Sequence, residues 1–174
     1  MRRENLDDRA EKTLRETDTF RVPVAIDVVA RRLKLTMQAA PYGENVSGML
    51  IIKGDRGAIG YNSAHPRVRQ RFTISHEIAH FLLHSKKGAK SQLFIDRHVT
   101  FRRDENSATG ADQDEVEANQ LGAALLMPKE LIQDEMKKHD LDLDDEEAIN
   151  LLAKRFQVSM AAMSNRLANL GMIR

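Results

Sequence analysis

The 174-residue chain contains no cysteine and no tryptophan. Without cysteine there can be no disulfide bond, no thiolate catalysis and no cysteine-ligated zinc, so any metal must be bound by histidine, aspartate or glutamate. No apolar run approaches the roughly 20 residues of a membrane-spanning helix. The sequence begins Met1-Arg2-Arg3 and continues with charged residues, so it lacks the apolar core of a signal peptide. These absences predict a cytoplasmic protein.

The chain also has no large excess of positive or negative charge. The chain has 27 lysines and arginines against 26 aspartates and glutamates, and its formal net charge is +1. No overall electrostatic field therefore favours nucleic acid, a membrane surface or an acidic partner. The length suits one domain with its own hydrophobic core.

Apolar residues recur at helical spacing along most of the chain, which predicts a mainly helical protein. The expected helices lie at about 6–14, 23–34, 66–85, 112–127, 145–156 and 160–170. Pro23 is expected in the first turn of the second helix, and Pro128 is expected to end the fourth. Asp144 with Glu147 three residues later predicts a capping box for the fifth helix, and Ser159 is the expected cap of the last.

A smaller part of the sequence has the pattern of β-strands. Residues 49–52 and 58–61 are short apolar runs on either side of a polar turn bounded by Gly54 and Gly57, which predicts a β-hairpin. Residues 93–95 and 99–101 are expected to form further short strands. The predicted fold class is therefore α+β, with a small β-hairpin or sheet beside the long third helix and a helical pair at the C-terminus.

The run His76-Glu77-Ile78-Ala79-His80 matches the pattern H-E-x-x-H. Histidines four residues apart lie on the same helix face, one turn apart, so both imidazoles can bind one metal ion. Glu77 lies roughly 100° around the helix from His76, where it borders the ion without competing for the same position. Ordinary helix histidines are the alternative interpretation, but the apolar character of the other helix face indicates a buried site.

A catalytic zinc ion of this type takes three protein ligands and keeps one position open. The metzincin arrangement would need glycine and histidine three and six residues after His80, and those positions hold Leu83 and Lys86. His84 lies about 12 Å from His76 along an unbroken helix, too far to share an ion. We therefore expect His84 at the helix end, where it could line a cleft.

The expected third ligand lies in the run Glu115-Val116-Glu117-Ala118-Asn119 on the next long helix. Glu115 and Asn119 share a helix face, so the glutamate can bind the metal while the asparagine hydrogen-bonds a ligand imidazole. Glu117 points about 200° away from Glu115, so one of the two glutamates at most can face the metal. Glu115 is preferred because it leaves Ala118 and the following leucines to pack, and Glu117 is the alternative.

The last two helices have the length of a helix-turn-helix unit. Lys154, Arg155, Arg166 and Arg174 lie there without an acidic residue after Glu147, a charge pattern that a DNA-binding unit could use. Packing of the two helices explains most of the sequence in this region. DNA binding is therefore a secondary hypothesis.

Two segments resemble the ImmA/IrrE family of metallopeptidases. They are residues 71–84, RFTISHEIAHFLLH, and residues 115–128, EVEANQLGAALLMP. The run Val22-Pro23-Val24, residues 59–62 and the closing segment 158–171 are also similar, so the resemblance covers most of the chain. The sequence differs at residues 121–122, where Leu-Gly replaces the usual Phe-Ala, and in a long loop before Glu115.

The resemblance implies a cytoplasmic zinc-dependent endopeptidase, with manganese as another possible metal. It assigns His76, His80 and Glu115 as metal ligands and Glu77 as the catalytic acid and base. The implied substrate is a helix-turn-helix repressor of the Xre type, whose cleavage switches on repressed genes, for example in a stress response. We expect a single domain over residues 1–174, with a zincin-like catalytic part at 1–130 and a helix-turn-helix-like part at 131–174.

Two points stay open at the level of sequence. The group that stabilises the oxyanion could be Tyr61, His84 or His98, all of which can donate a hydrogen bond. The chain could also be a metal-binding regulatory module that docks on a partner without cutting it. The intact H-E-x-x-H pattern argues against such a module, since a simple binder has no need of Glu77.

Overall fold

The computed structural model describes residues 5–43, 45–85, 92–97 and 110–173. Within these residues the chain forms seven helices and four strands, which confirms the predicted α+β class. In chain order they are α1 (Leu6–Glu16), α2 (Ile26–Arg32), β1 (Leu35–Ala40), β2 (Val46–Lys53), β3 (Arg56–Asn62), α3 (Arg67–His84), β4 (Gln92–Arg97), α4 (Gly110–Leu126), α5 (Lys129–His139), α6 (Glu146–Phe156) and α7 (Met160–Asn169).

The strands form one sheet in the order β1-β3-β2-β4. The predicted hairpin is confirmed as the antiparallel pair β2 and β3, joined by a turn in which Gly54 has a positive φ of 64°. β4 contains residues 93–95 as expected and pairs antiparallel with β2. The strand expected at 99–101 lies outside the described residues. The sequence analysis missed β1, which pairs parallel with β3 and has one fully buried residue, Leu35.

Helix α3 lies at the centre of the fold. It packs against α4, α2 and strands β2 and β3, and each of residues 73–81 is buried. A helix enclosed in this way needs small or apolar residues on almost every side, so its amphipathic pattern is weak. The core around it includes Leu50 and Ile59 of the sheet and Leu121 and Leu125 of α4. This packing places the H-E-x-x-H segment between the sheet and α4.

The ends of two helices differ from the sequence predictions. α2 begins at Ile26, because the carbonyl oxygen of Ala25 accepts the hydrogen bonds of the first turn, so the placement of Pro23 inside that turn was wrong. α6 is capped by Asp145 rather than Asp144: the Asp145 side chain accepts a hydrogen bond from the Glu147 backbone N–H at 2.9 Å. The cap of α7 is Ser159, as predicted.

The C-terminal helices are attached to the rest of the chain by a buried arginine of α3. Arg71 donates to the backbone carbonyl oxygens of Gln157 at 3.1 Å and Val24 at 3.0 Å, and more weakly to that of Phe156. It therefore joins the end of α6 to the segment before α2. Among the described residues, none of the helices combines the length and the apolarity needed to cross a membrane.

Candidate metal centre

His76, His80 and Glu115 meet at one point between α3 and α4. The two Nε2 atoms lie 3.0 Å apart. The Glu115 carboxylate lies 3.2 Å from His80 Nε2 and 3.4 Å from His76 Nε2. Both imidazoles are almost fully buried, whereas the Glu115 side chain is 53% exposed. The cluster is therefore closed on the α3 side and open to solvent on the α4 side.

The donor atoms fit a tetrahedral metal ion. Zinc binds nitrogen and oxygen ligands at 2.0–2.2 Å, so the ligand atoms of a tetrahedral site are about 3.3 Å apart. The two Nε2 atoms lie 3.0 Å apart, and each has a Glu115 oxygen at a similar distance: Oε1 lies 3.2 Å from His80 and Oε2 lies 3.4 Å from His76. Two imidazoles and one carboxylate are also the donor set of His₂Glu zinc sites. In the described part of the chain, the buried Nδ1 atoms of both histidines have no hydrogen-bond partner.

Glu115 is held in its charged form. Hydrogen bonds with His76 and then His80 hold the pKa of its carboxyl well below the ordinary value, and partial burial opposes this shift only in part. A carboxylate that stays ionised needs no deprotonation to bind a cation. The cluster of ligating groups within the described residues does not include Glu117. The positions of the ligating groups therefore favour Glu115 over Glu117 as the third metal ligand.

Gly122 lies where α4 approaches the backbone of α3 closely. A Cβ atom at this position would lie 3.2 Å from the Cα of His76 and 3.3 Å from its backbone nitrogen. The Ser75 hydroxyl donates to the Gly122 carbonyl oxygen at 2.7 Å, which fastens the two helices at the same level. The departure from the usual family pattern at residues 121–122 therefore lies at the contact that positions His76.

Glu77 of α3 is fully buried, and its carboxylate lies against β2. A Cβ atom at Gly48 of β2 would lie 2.8 Å from Glu77 Oε1 and would overlap the Cγ2 atom of Thr73. The space for the Glu77 carboxylate is therefore provided by the absence of a side chain on the neighbouring strand. The sequence gives no local signal for this role of Gly48, because β2 and α3 meet only in the folded chain.

The candidate oxyanion donors lie in different surroundings. The His84 ring is stacked on His80 and on Phe94, with ring centroids 5.7 Å and 5.2 Å away, and burial lowers the pKa of His84. Tyr61 pairs with Gly48 across the β2–β3 ladder and packs against the core. His98 lies outside the described residues. Phe94, which also stacks on His80 at 5.1 Å, was not singled out from the sequence.

Asn119 does not make the predicted hydrogen bond. Its side chain lines a cavity between α1, α3, α4 and α7, and in the described residues neither ligand imidazole has a partner at Nδ1. The prediction failed because a shared helix face fixes only the direction in which a side chain leaves the helix.

Two arginines of the DNA-binding hypothesis, Arg155 and Arg166, form ion pairs within the chain. Arg155 pairs with Glu135 of α5. Arg166 is buried, pairs with Asp7 of α1 and donates to the Met127 carbonyl oxygen at 3.0 Å. Arg174 lies outside the described residues. Their acidic partners, Glu135 and Asp7, precede Glu147 in the sequence. The lack of acidic residues after Glu147 therefore did not indicate that these arginines were free to bind DNA.

A helix carrying H-E-x-x-H beside a small sheet, with a glutamate from a second helix facing both histidines, is the arrangement of zincin-type metallopeptidases. The family model of the IrrE N-terminal-like domain, Peptidase_M78, matches residues 24–168. The chain therefore belongs to this family, as the resemblance to the ImmA/IrrE peptidases indicated. A comparison with curated proteins gave no match. The family supports a metallopeptidase of the IrrE/ImmA kind that acts on a protein substrate.

Proposed function

We propose that the chain is a zinc-dependent endopeptidase in which His76, His80 and Glu115 hold the metal and Glu77 is the general acid and base. The observation that carries the proposal is the set of separations of 3.0–3.4 Å between the two imidazole Nε2 atoms of α3 and the Glu115 carboxylate of α4. When bound, zinc in such a site lowers the pKa of a water ligand to about 7 and polarises a carbonyl group. Manganese is the alternative metal, and two imidazoles favour zinc.

In this proposal, Glu77 takes a proton from the attacking water and passes it to the leaving amine. Its burial beside Gly48 limits the positions that the carboxylate can adopt. His84 is the preferred oxyanion donor, because its ring stacks on His80 and its buried Nε2 has no partner among the described residues. Tyr61 and His98 are the other candidates.

The proposed substrate is a helix-turn-helix repressor of the Xre type, cut in the cytoplasm so that repressed genes are transcribed. This part of the proposal comes from the family, whose ImmA and IrrE members the sequence resembles. We further propose that residues 1–174 form one domain, with the catalytic part at 1–130 and the helix-turn-helix-like part at 131–174.

The test incubates a purified Xre-type repressor with zinc-loaded protein. Glu77→Gln should keep about one metal ion per chain and slow cleavage at least 100-fold, the scale of general acid–base catalysis. Glu117→Gln, the same chemical change two residues from Glu115, is the control and should cleave at the wild-type rate. Cleavage by Glu77→Gln at the full rate would refute the catalytic assignment. A regulatory effect that persists without cleavage would favour the docking module.

A further inference from the structure

A cavity of about 850 Å³ lies between α1, α3, α4 and α7. Its floor is apolar and includes Phe72, Ala123 and Met127. Its walls carry carboxamide side chains, among them Asn119 of α4 and Asn165 and Asn169 of α7. The volume is in the range of pockets that hold an extended ligand rather than one side chain.

This cavity has lining residues one helical turn from the candidate metal centre on both α3 and α4. Phe72 lies four residues before His76 on α3, and Asn119 lies four residues after Glu115 on α4. Residues four apart occupy the same helix face, one turn of 5.4 Å from each other. His76, His80 and Glu115 are not among the lining residues, but a peptide chain lying in the cavity is about one helical turn from them.

The chemistry of the cavity suits a peptide main chain. A carboxamide offers both a donor and an acceptor, as does each peptide group of an extended chain. Asn165 and Asn169 are exposed and stand about 6 Å apart along α7, close to the roughly 6.6 Å covered by two residues of an extended strand. The two amides can thus reach equivalent groups of alternate residues.

Three charged residues line the cavity, Asp7, Arg69 and Arg166, and two of them pair with each other. Arg166, which contributes to the lining, is buried and neutralised by Asp7. Arg69 donates to the Ser47 hydroxyl at 3.2 Å. The exposed positions of α7, the helix that would read DNA in a helix-turn-helix protein, hold alanine and asparagine at 161, 165, 168 and 169. A neutral polypeptide fits this surface better than nucleic acid.

We propose that the cavity binds an extended segment of the protein substrate beside the bond to be cut, with Asn165 and Asn169 holding its main chain. The proposal rests on the proposed peptidase function and adds the site that selects an unfolded or extended substrate segment. It gives α7 a role in substrate binding. It also places the contacts on the side of the metal centre that faces the start of α3.

The first test measures binding by the full chain with Glu77→Gln, in the presence of zinc, to a dye-labelled pool of unstructured decapeptides of neutral sequence. Fluorescence anisotropy gives the dissociation constant. Adding Asn165→Ala and Asn169→Ala should raise it at least tenfold. The matched control is Asn150→Ala on the exposed surface of α6, outside the cavity, which should change it less than twofold. Alanine favours a helix more than asparagine does, so these variants should remain folded.

The second test separates this proposal from the proposed function. Zinc-loaded protein with intact Glu77 is assayed for cleavage of the same peptides. The two asparagine changes should raise KM and leave kcat within twofold. Peptide binding that depends on the asparagines, without cleavage, would overturn the peptidase function alone. Cleavage with an unchanged KM, or no binding by the parent protein at millimolar peptide, would overturn the cavity proposal.

Discussion

At the scale of single residues, two glycines set how closely other elements approach the H-E-x-x-H helix. Gly48 leaves the space occupied by the Glu77 carboxylate, and Gly122 allows α4 to contact the backbone of His76. In both cases the neighbouring atoms belong to α3, which is buried on nearly all sides and has little freedom to move away. The position of the catalytic segment is therefore determined partly by residues that take no part in the chemistry.

Gly48→Ala should impair catalysis without removing the metal. The added methyl group would overlap Thr73 and lie 2.8 Å from Glu77 Oε1, so the carboxylate must shift. We expect cleavage to slow by about tenfold or more, a stability loss of about 1–3 kcal/mol from overpacking, and unchanged metal content. Assays of cleavage, urea unfolding and elemental analysis check this.

The control for that variant is Gly43→Ala, because no atom of the described residues lies within 4 Å of a Cβ added there. It should behave as wild type in all three measurements. Full activity in Gly48→Ala would show that the Glu77 carboxylate does not depend on the space beside β2.

The sequence predicted His76, Glu77 and His80 together because all three lie on one helix, where spacing determines direction. It predicted a glutamate on a second helix, but the choice between Glu115 and Glu117 depended on how that helix is rotated. It could not identify Phe94, whose ring lies against His80 and His84. A contact between a strand and a helix leaves no periodic trace in the sequence of either element.

At the scale of elements, α3 connects the sheet, α4 and the C-terminal helices. Its N-terminal half carries Arg71, which donates to backbone carbonyl groups on both sides of the core. About three turns later, Arg9 of α1 donates to the carbonyl oxygen of Leu82 near the other end of the helix. The orientation of α3, and with it that of both histidines, is therefore fixed from two ends.

Arg71→Met should destabilise the protein by about 3 kcal/mol, because buried carbonyl groups lose a charged donor and methionine keeps only the bulk of the side chain. Urea unfolding measures the loss. Arg67→Met, an exposed arginine one turn earlier on the same helix, should change stability by less than about 0.5 kcal/mol. Equal effects of the two substitutions would contradict the structural role of Arg71.

Elements with strong local signals were predicted well, and those defined by tertiary pairing were not. The hairpin, α3, α4 and the Ser159 cap follow from turn residues, apolar spacing and capping. β1 was missed because its sequence, LTMQAA, alternates weakly and its strand is formed by pairing with β3. The cap of α6 is Asp145, one residue later than predicted. It lies in the acidic run 144–147, where the local capping signals of neighbouring residues are nearly equal.

At the scale of the whole molecule, the helix-turn-helix-like pair is built into the same core as the rest of the chain. Leu152, Phe156, Met163 and Leu167 are fully buried in one cluster with residues of α3 and α4. The family match also runs through α7, up to residue 168. The C-terminal helices therefore belong with the metal-binding part of the fold, which agrees with a role in substrate binding.

Neutralising the arginines of this region should affect folding rather than DNA binding. Arg155→Gln and Arg166→Gln each leave a carboxylate, Glu135 or Asp7, without its arginine partner. Arg166→Gln should be the more harmful, by about 2–4 kcal/mol, because Arg166 is buried and also donates to Met127. Urea unfolding tests this, with duplex binding measured across a salt series in parallel.

Lys154→Gln is the control, since Lys154 is an exposed cation on the same helix as Arg155. It should leave stability within about 0.5 kcal/mol of wild type. Tight duplex binding that falls steeply with salt, and that disappears when Arg155 and Arg166 are neutralised in folded protein, would restore the DNA-binding hypothesis.

The proposed function requires that residues of α3 and α4 hold one metal ion. Elemental analysis after zinc loading measures the metal content per chain of wild type, His80→Ala, Glu115→Gln and Glu117→Gln. We expect about one zinc in wild type and in Glu117→Gln, none in His80→Ala, and a much reduced content in Glu115→Gln. Wild type without metal after zinc loading, or loss of zinc in Glu117→Gln instead of Glu115→Gln, would contradict this expectation.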